Sequence, residues 1–144
     1  MTGQATTPRA RPRSLWLSTG AIVLGFFAVV LLSLGADVVL HVFKVYPPWG
    51  QPMREPGLNL LALAYRIVFG VVGSYITASL APHSPMRHAL IGGGIGFVLS
   101  TSGVIAGIQM DLGPLWYPIA LALTALPCAW FGGSLYSRRA GAER

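Results

Sequence analysis

Charge is scarce in this sequence. Lys, Arg, Asp and Glu make up 10% of its 144 residues, where a water-soluble domain carries roughly a quarter. So little charge excludes an ordinary soluble domain and makes a bilayer the expected main solvent. Acidic residues are scarcer still, 4 against 10 basic ones, giving a net charge of +6. A basic balance can signal nucleic acid, but here the charges are clustered. Arg9, Arg11 and Arg13 lie at one end, and Arg138, Arg139 and Arg144 at the other. Clusters that flank apolar runs orient membrane spans, and no nucleic-acid module is recognisable. Cysteine is almost absent. With Cys128 alone, an intrachain disulfide and any multi-cysteine metal site are excluded.

What the chain does have is apolar length. A membrane helix needs about 20 mostly apolar residues, and four stretches qualify: about 15–43, 58–81, 86–109 and 114–136. The first exceeds a typical span and is expected to tilt or project. Between the first two, "VYPPWGQPMREPG" holds four prolines and two glycines and cannot continue a helix. "APHSPM" reads as a tight turn, with Ser84 as cap of the third helix and Pro85 at its first position. "MDLGPLW" is a second short turn. Short links make sequential helices antiparallel neighbours. The expected fold is therefore an all-α, integral membrane four-helix bundle of antiparallel up-down topology, left-handed or mixed. Residues 1–13 form a disordered basic tail, 14–137 the transmembrane domain, and 138–144 a basic C-terminal tail.

Orientation follows from the Lys/Arg bias. With both termini inside, Arg9, Arg11, Arg13, Arg87, Arg138, Arg139 and Arg144 are cytoplasmic, against only Lys44 and Arg54 outside. That asymmetry favours N-in and C-in. Tyr46, Trp49, Trp116 and Tyr117 then gather at the outer interface, Trp16 and Tyr136 at the inner one. The basic start resembles a secretory leader, but such leaders carry an apolar core of roughly 7–15 residues. Leu15 to Leu34 is longer, so an uncleaved anchor is expected.

Lipid gives helices no hydrophobic reason to associate, so close approach across small residues is needed. In the third span Gly92, Gly96, Ser100, Gly103 and Gly107 share one helical face. The fourth offers Pro118, Ala122, Ala125, Ala129 and Gly133, and the second Gly70, Gly73, Thr77 and Ala81. The packing seam is thus expected at Gly70, Gly73, Gly92, Gly96, Gly103 and Gly107, in a compact bundle rather than a wide pore. Pro118 and Pro127 are expected to bend the fourth helix.

Arg66 interrupts the apolar run "LALAYRIVFG". It falls about eight residues into the second span, roughly 12 Å below its outer end. Arg66, Gly70, Gly73 and Thr77 form one stripe, which turns the guanidinium into the bundle. A charge inside the membrane normally faces protein and a partner. Asp37 lies seven residues before Lys44, roughly 10 Å below the outer end of the first span. It is therefore the expected partner, with His41 on the same face and Tyr65 or Tyr75 as a further hydrogen-bonding group. Three readings stay open: a structural tie, a proton or ligand site built from Asp37, His41 and Arg66, or Arg66 reaching the headgroups alone.

Other groups carry less. His83 and His88, with Arg87, look like a solvated turn or a contact to anionic headgroups. No cofactor and no metal site is expected, because the three or four ligands a metal needs are not gathered. Cys128 reads as a small buried residue, without a base to make it a nucleophile. Glu55 and Asp111 are outer-loop carboxylates. "GGGIG" lacks the flanking strand and Lys-Ser/Thr of a phosphate loop. No catalytic set converges, so no enzyme is expected.

The motifs "DVVLH", "PPWGQPM", "YRIVFGVVGSYITA", "GPLWYP" and "LPCAWFGG", with the Pro82 and Pro85 turn, resemble uncharacterised small four-transmembrane-helix proteins of bacterial inner membranes. The resemblance spans roughly Leu15 to Tyr136. It implies topology and a bacterial inner-membrane setting, and carries no activity to any residue. Small multidrug transporters differ by an early deep glutamate that this chain lacks, and its polar residues match small fluoride channels poorly. The functional expectation is a structural or accessory membrane protein. Its partners would be the lipid bilayer and a membrane protein or a second copy of the chain, with no nucleic acid. The alternative is a small homo-oligomeric transporter or channel.

Overall fold

A computed structural model describes residues 12–111 and 113–142, with the side chains of residues 12–14 excepted. Residues 1–11 of the expected basic tail, Arg9 and Arg11 among them, lie outside the described residues, as does Arg144, while Pro12 and Arg13 already belong to the first helix. Four helices account for the fold: α1 (Pro12–Val42), α2 (Pro56–Leu80), α3 (Pro85–Met110) and α4 (Trp116–Ala142). Each is long and apolar enough to cross a membrane. Among the described residues there is no strand. The basic end of the chain is not a separate tail, because α4 continues through Arg138 and Arg139 to Ala142.

The helices end where local chemistry stops them. At the end of α1, Lys44 takes a left-handed backbone, φ 55°. Its N–H bonds to His41 O and that of Val45 to Leu40 O, at 3.0 and 2.9 Å, a Schellman pair that satisfies the last carbonyls. Proline then keeps the chain out of helix until Pro56. Buried Asn59 pins this return by donating to both Met53 O and Glu55 O, each at 2.9 Å. The expected Ser84 side-chain cap is not made. Ser84 sits at φ 45° with no capping bond from its hydroxyl. Its carbonyl instead accepts from the Arg87 and His88 backbones and from His88 Nδ1. Pro118 falls in the first turn of α4, where its missing N–H has no helical partner to lose. Pro127 is the proline inside that helix.

The interior is made of small residues. Ala62, Ala78 and Ala129 are fully covered and Ala89 nearly so, while Leu31, Phe43, Val98 and Leu123 are among many exposed large apolar side chains. A water-soluble bundle distributes them the other way. Close backbone approach explains the arrangement. A Cβ on Gly25 of α1 would fall on Thr77 Oγ1 and 2.6 Å from Gly73 O, and one on Gly73 would fall on Val29 and 2.7 Å from Gly25 O. On the α2–α4 side, a Cβ on Gly132 would strike Val71 O and lie 2.8 Å from Ser74 Cβ. Gly70 is the looser of the expected α2 pair, with Cys128 Cβ at 3.4 Å from such a Cβ.

In α3 the expected seam is corrected. A Cβ on Gly92, Gly96 or Gly103 would meet nothing within 4 Å, and one on Gly107 only Pro118 at 3.9 Å. The tight contact belongs to Gly93, where a Cβ would fall on Ala129 and lie 3.4 Å from Ala125 O. Gly93 is one residue, or about 100° of helix, away from Gly92. Gly92, Gly96 and Gly103 therefore share a face on which no neighbour closes, while Gly107 on the same stripe is buried near Pro118 without a tight contact. As a result α2 packs against all three other helices and α4 against α2 and α3. The first helix, α1, packs mainly on α2, has a small contact with α3, and among the described residues does not pack on α4.

The α1–α2 and α3–α4 turns lock together. Arg54 Nη2 lies 2.7 Å from Asp111 Oδ2 in an exposed ion pair. Beneath it, Gly113 has φ +137°, and a Cβ there would come within 2.8 Å of Met53 O. Gly113→Ala meets both backbone strain and a collision, so a loss of about 1–3 kcal/mol is expected. Limited trypsin digestion at Arg54 measures it. Cleavage should accelerate at least fivefold, and an unchanged rate would show that the two turns are not coupled.

Candidate functional site

Two charges in apolar helices define the site. Asp37 lies five residues before the end of α1, and Arg66 ten residues into α2. The structure brings them together, with Arg66 Nη2 2.7 Å from Asp37 Oδ2. Their side chains retain 15% and 26% exposure respectively, so the pair is mostly shielded without being sealed.

Three tyrosines complete the network. Tyr65, adjacent to Arg66 on α2, donates to the other carboxylate oxygen, Asp37 Oδ1. Arg66 Nη1 donates to the hydroxyl of Tyr117, on the first turn of α4. Its guanidinium carbon also stands 5.2 Å from the Tyr65 ring centre and 5.9 Å from that of Tyr117, within cation–π range. Tyr46, in the segment after α1, places its hydroxyl 3.4 Å from that of Tyr65 and 3.5 Å from Leu58 O. Burial raises the Tyr46 phenol above its ordinary pKa. Both Asp37 oxygens and both terminal Arg66 nitrogens are thus engaged by α1, α2 and α4.

His41 is not part of this network in the way its spacing suggests. Its Nδ1 donates to the backbone carbonyl of Asp37 at 2.7 Å, not to the carboxylate. The ring stacks on Trp49 at 3.7 Å, nearly parallel, with Tyr46 edge-on at 5.5 Å. One turn of helix separates His41 from Asp37 along α1, and the loop prolines bring Trp49 back over that turn. Tyr75 likewise lies elsewhere, against Tyr136. Sequence spacing placed Tyr46 and Tyr117 only as interface aromatics. The signal that marks them is proximity to a charged span residue at matching depth, which needs the turns' geometry.

Three cavities converge on Arg66. One of about 240 Å³, beside the α1–α2 turn, runs from Trp49 and His41 to Asp37, Arg66 and Tyr117. A second, of about 350 Å³, lies between α3 and α4 and reaches Arg66 past Ser100 and Gly103. The third is a long cleft of about 440 Å³ with Asp37 and Arg66 at one end. The glycines of the expected α3 seam line these spaces: Gly92 and Gly96 the long cleft, Gly103 and Gly107 the second cavity.

At the other end of the bundle His88 is buried, not solvated. Its ring meets that of His83 edge-on at 5.2 Å. Among the described residues no three His, Cys, Asp or Glu side chains gather closely enough to hold a metal ion. Cys128 is free and buried. No protein family, no curated protein and no solved structure matches the chain.

Proposed function

We propose that the chain is a small polytopic membrane protein with a structural or accessory role, in which Asp37–Arg66 ties the helices together. The observation that carries this reading is the closure of the network. One carboxylate and one guanidinium engage α1, α2 and α4 at a single depth, each with a second partner from tyrosine. Ion pairs satisfied in this way serve register and specificity.

The setting belongs to the same proposal. The four helices are antiparallel spans of a bacterial inner membrane, with both termini cytoplasmic, as in the small four-span proteins the sequence resembles. Support comes from the exposed Leu, Val and Phe side chains and from the concentration of Arg toward one end of the bundle. The partners are the bilayer and a second membrane protein or copy of the chain. Neither nucleic acid nor enzymatic chemistry enters.

A second reading is favoured by one specific observation, the cavity beside the α1–α2 turn that reaches Asp37 and Arg66. It makes the pair the polar site of a small homo-oligomeric transporter or channel. Purification from the native host in mild detergent separates the two. The accessory reading expects a partner membrane protein in fixed stoichiometry, and liposomes containing the purified chain that show no flux. A partnerless oligomer whose flux in liposomes is abolished by Asp37→Asn would overturn it in favour of the transporter.

A further inference from the structure

The cavity between α3 and α4 is lined by polar groups that the tie does not satisfy. Asn59 of α2 is the clearest. It is 2% exposed, and both of its amide hydrogens are taken, by Met53 O and Glu55 O. Its Oδ1 accepts from no group among the described residues. Among those residues, no fully covered side-chain oxygen or nitrogen lacks a hydrogen bond. Oδ1 is therefore open to space, and the cavity that Asn59 lines is this one.

Three more groups line the same volume of about 350 Å³. Tyr117 accepts from Arg66, which leaves its own O–H to donate. Ser100 makes no bond back to its helix, although its neighbours Thr101 and Ser102 bond to Phe97 O and Val98 O at 2.8 and 3.1 Å. Arg66 uses two of its five N–H donors on Tyr117 and Asp37. These groups form a column. Asn59 and Arg66 are seven residues apart on α2, and Ser100 and Gly107 seven apart on α3, roughly 10 Å in each case. The glycines of α3 keep it open: a Cβ on Gly103 would meet nothing within 4 Å, and one on Gly107 only Pro118 at 3.9 Å.

The lining selects its occupant. An acyl chain or an apolar side chain of a partner would leave Asn59 Oδ1, the Ser100 hydroxyl and the Tyr117 O–H without partners, which is costly away from water. Water, donor and acceptor at once, satisfies all three. It needs two to four polar partners and roughly 10–15 Å³ of space, and the cavity offers both. An ion is not selected, because Asp37 balances Arg66 and no other charged side chain among the described residues lines the cavity. We infer that the α2–α3–α4 cavity is a water-filled vestibule, running from the α3–α4 turn to Ser100 and admitting small uncharged hydrogen-bonding molecules. The inference rests on the four-span setting proposed above and holds for either role. In that setting Ser100, ten residues or roughly 15 Å from the end of α3, lies deep in a hydrocarbon layer about 30 Å thick.

The test introduces single cysteines in a Cys128→Ser background, in nanodiscs, and measures their modification by 2-hydroxyethyl methanethiosulfonate, a small uncharged reagent. A thiol reacts as its thiolate, which forms in water and not in hydrocarbon, so the rate reports hydration. Ser100→Cys should react at least tenfold faster than Val98→Cys, a position of similar depth that is 62% exposed on the bundle surface. Relative to Gln51→Cys in the α1–α2 turn, the trimethylammonium and sulfonate forms of the reagent should lose at least a further tenfold at Ser100→Cys. Gly103→Leu should slow modification of Ser100→Cys at least fivefold by filling the column. Equally slow reaction of Ser100→Cys and Val98→Cys, both far below Gln51→Cys, would overturn the inference. So would charged reagents as effective as the neutral one at Ser100→Cys, or an unslowed rate in folded Gly103→Leu. The comparison of Ser100→Cys with Val98→Cys stands even if Gly103→Leu misfolds. Rapid modification at all three positions would overturn the bilayer setting, and the inference with it, a result distinct from a dry cavity.

Discussion

Asp37→Asn and Arg66→Gln should each destabilise the protein by about 3 kcal/mol, and the double variant by clearly less than the sum. The reasoning starts from what each single change leaves behind. Removing the Asp37 charge strands a guanidinium with 26% exposure beside neutral groups, and removing Arg66 strands a carboxylate with 15%. Breaking such a pair costs about 3–5 kcal/mol, much of it the penalty of the unpaired charge. The value expected here is at the low end because the cavity beside the α1–α2 turn gives the survivor some access to water. Asn and Gln together remove both charges and can still exchange a hydrogen bond. Thermal unfolding in detergent, scored as monodisperse folded protein, gives the three values. Singles no worse than the double would mean that the pair does not hold the helices together.

Gly73→Leu should have an effect of similar size by a different route. Gly73 and Gly25 approach so closely that each would place a Cβ on the other helix: on Val29 from Gly73, on Thr77 from Gly25. Neither helix backbone can yield locally, so α1 must move away from α2. Overpacking costs about 1–3 kcal/mol for small additions, and the loss for Leu exceeds that because α1 has little other support. Gly96→Ala is the control. Its Cβ meets nothing within 4 Å, and Ala gains about 1 kcal/mol of helix propensity over Gly. A cross-link between cysteines placed on α1 and α2, in a Cys128→Ser background, reports the separation. It should form in Gly96→Ala and fail in Gly73→Leu. Equal cross-linking in both would contradict the contact.

These two pairs of residues also show what the sequence can and cannot reveal. Apolar length gives four helices almost directly, because few other structures accommodate runs of that size. Helix rise then sets Asp37 and Arg66 at comparable depth, and the stripe through Gly70 and Gly73 gives Arg66 its direction. The α3 glycines show the limit. Periodicity states that Gly92, Gly96, Gly103 and Gly107 share a face, but not what that face looks at. Gly93, which carries the contact with α4, pairs with Ala89 one turn earlier, covered against α4 near Gly133, a small-xxx-small signal that the more regular glycine stripe outweighs. Gly25 has Ala21 one turn before it, itself buried, and this pair is the small-residue signal in α1 that the reading of the other three spans passed over. Tyr117 and Trp49 reach the site through turns, whose paths depend on features such as the φ of Lys44 and Gly113 that no spacing rule contains. The Arg54–Asp111 bridge joins two loops far apart in the chain and has no local signature.

The reliance of α1 on α2 has a consequence for the order of events during synthesis. In the four-span arrangement proposed above, α1 is made first and enters the bilayer before Arg66 exists. Asp37 must then be carried by α1 alone, and a carboxylate near the centre of a span disfavours insertion by about 2.5–3.5 kcal/mol. The long apolar run of α1 offsets that penalty, and the position of Asp37 near one end lessens it. Arg66 arrives to find its counter-charge already at depth. Docking of α2 onto the Gly25 surface is thus the step that neutralises both helices, and α3 and α4 are added to a pair that has already lost its charge.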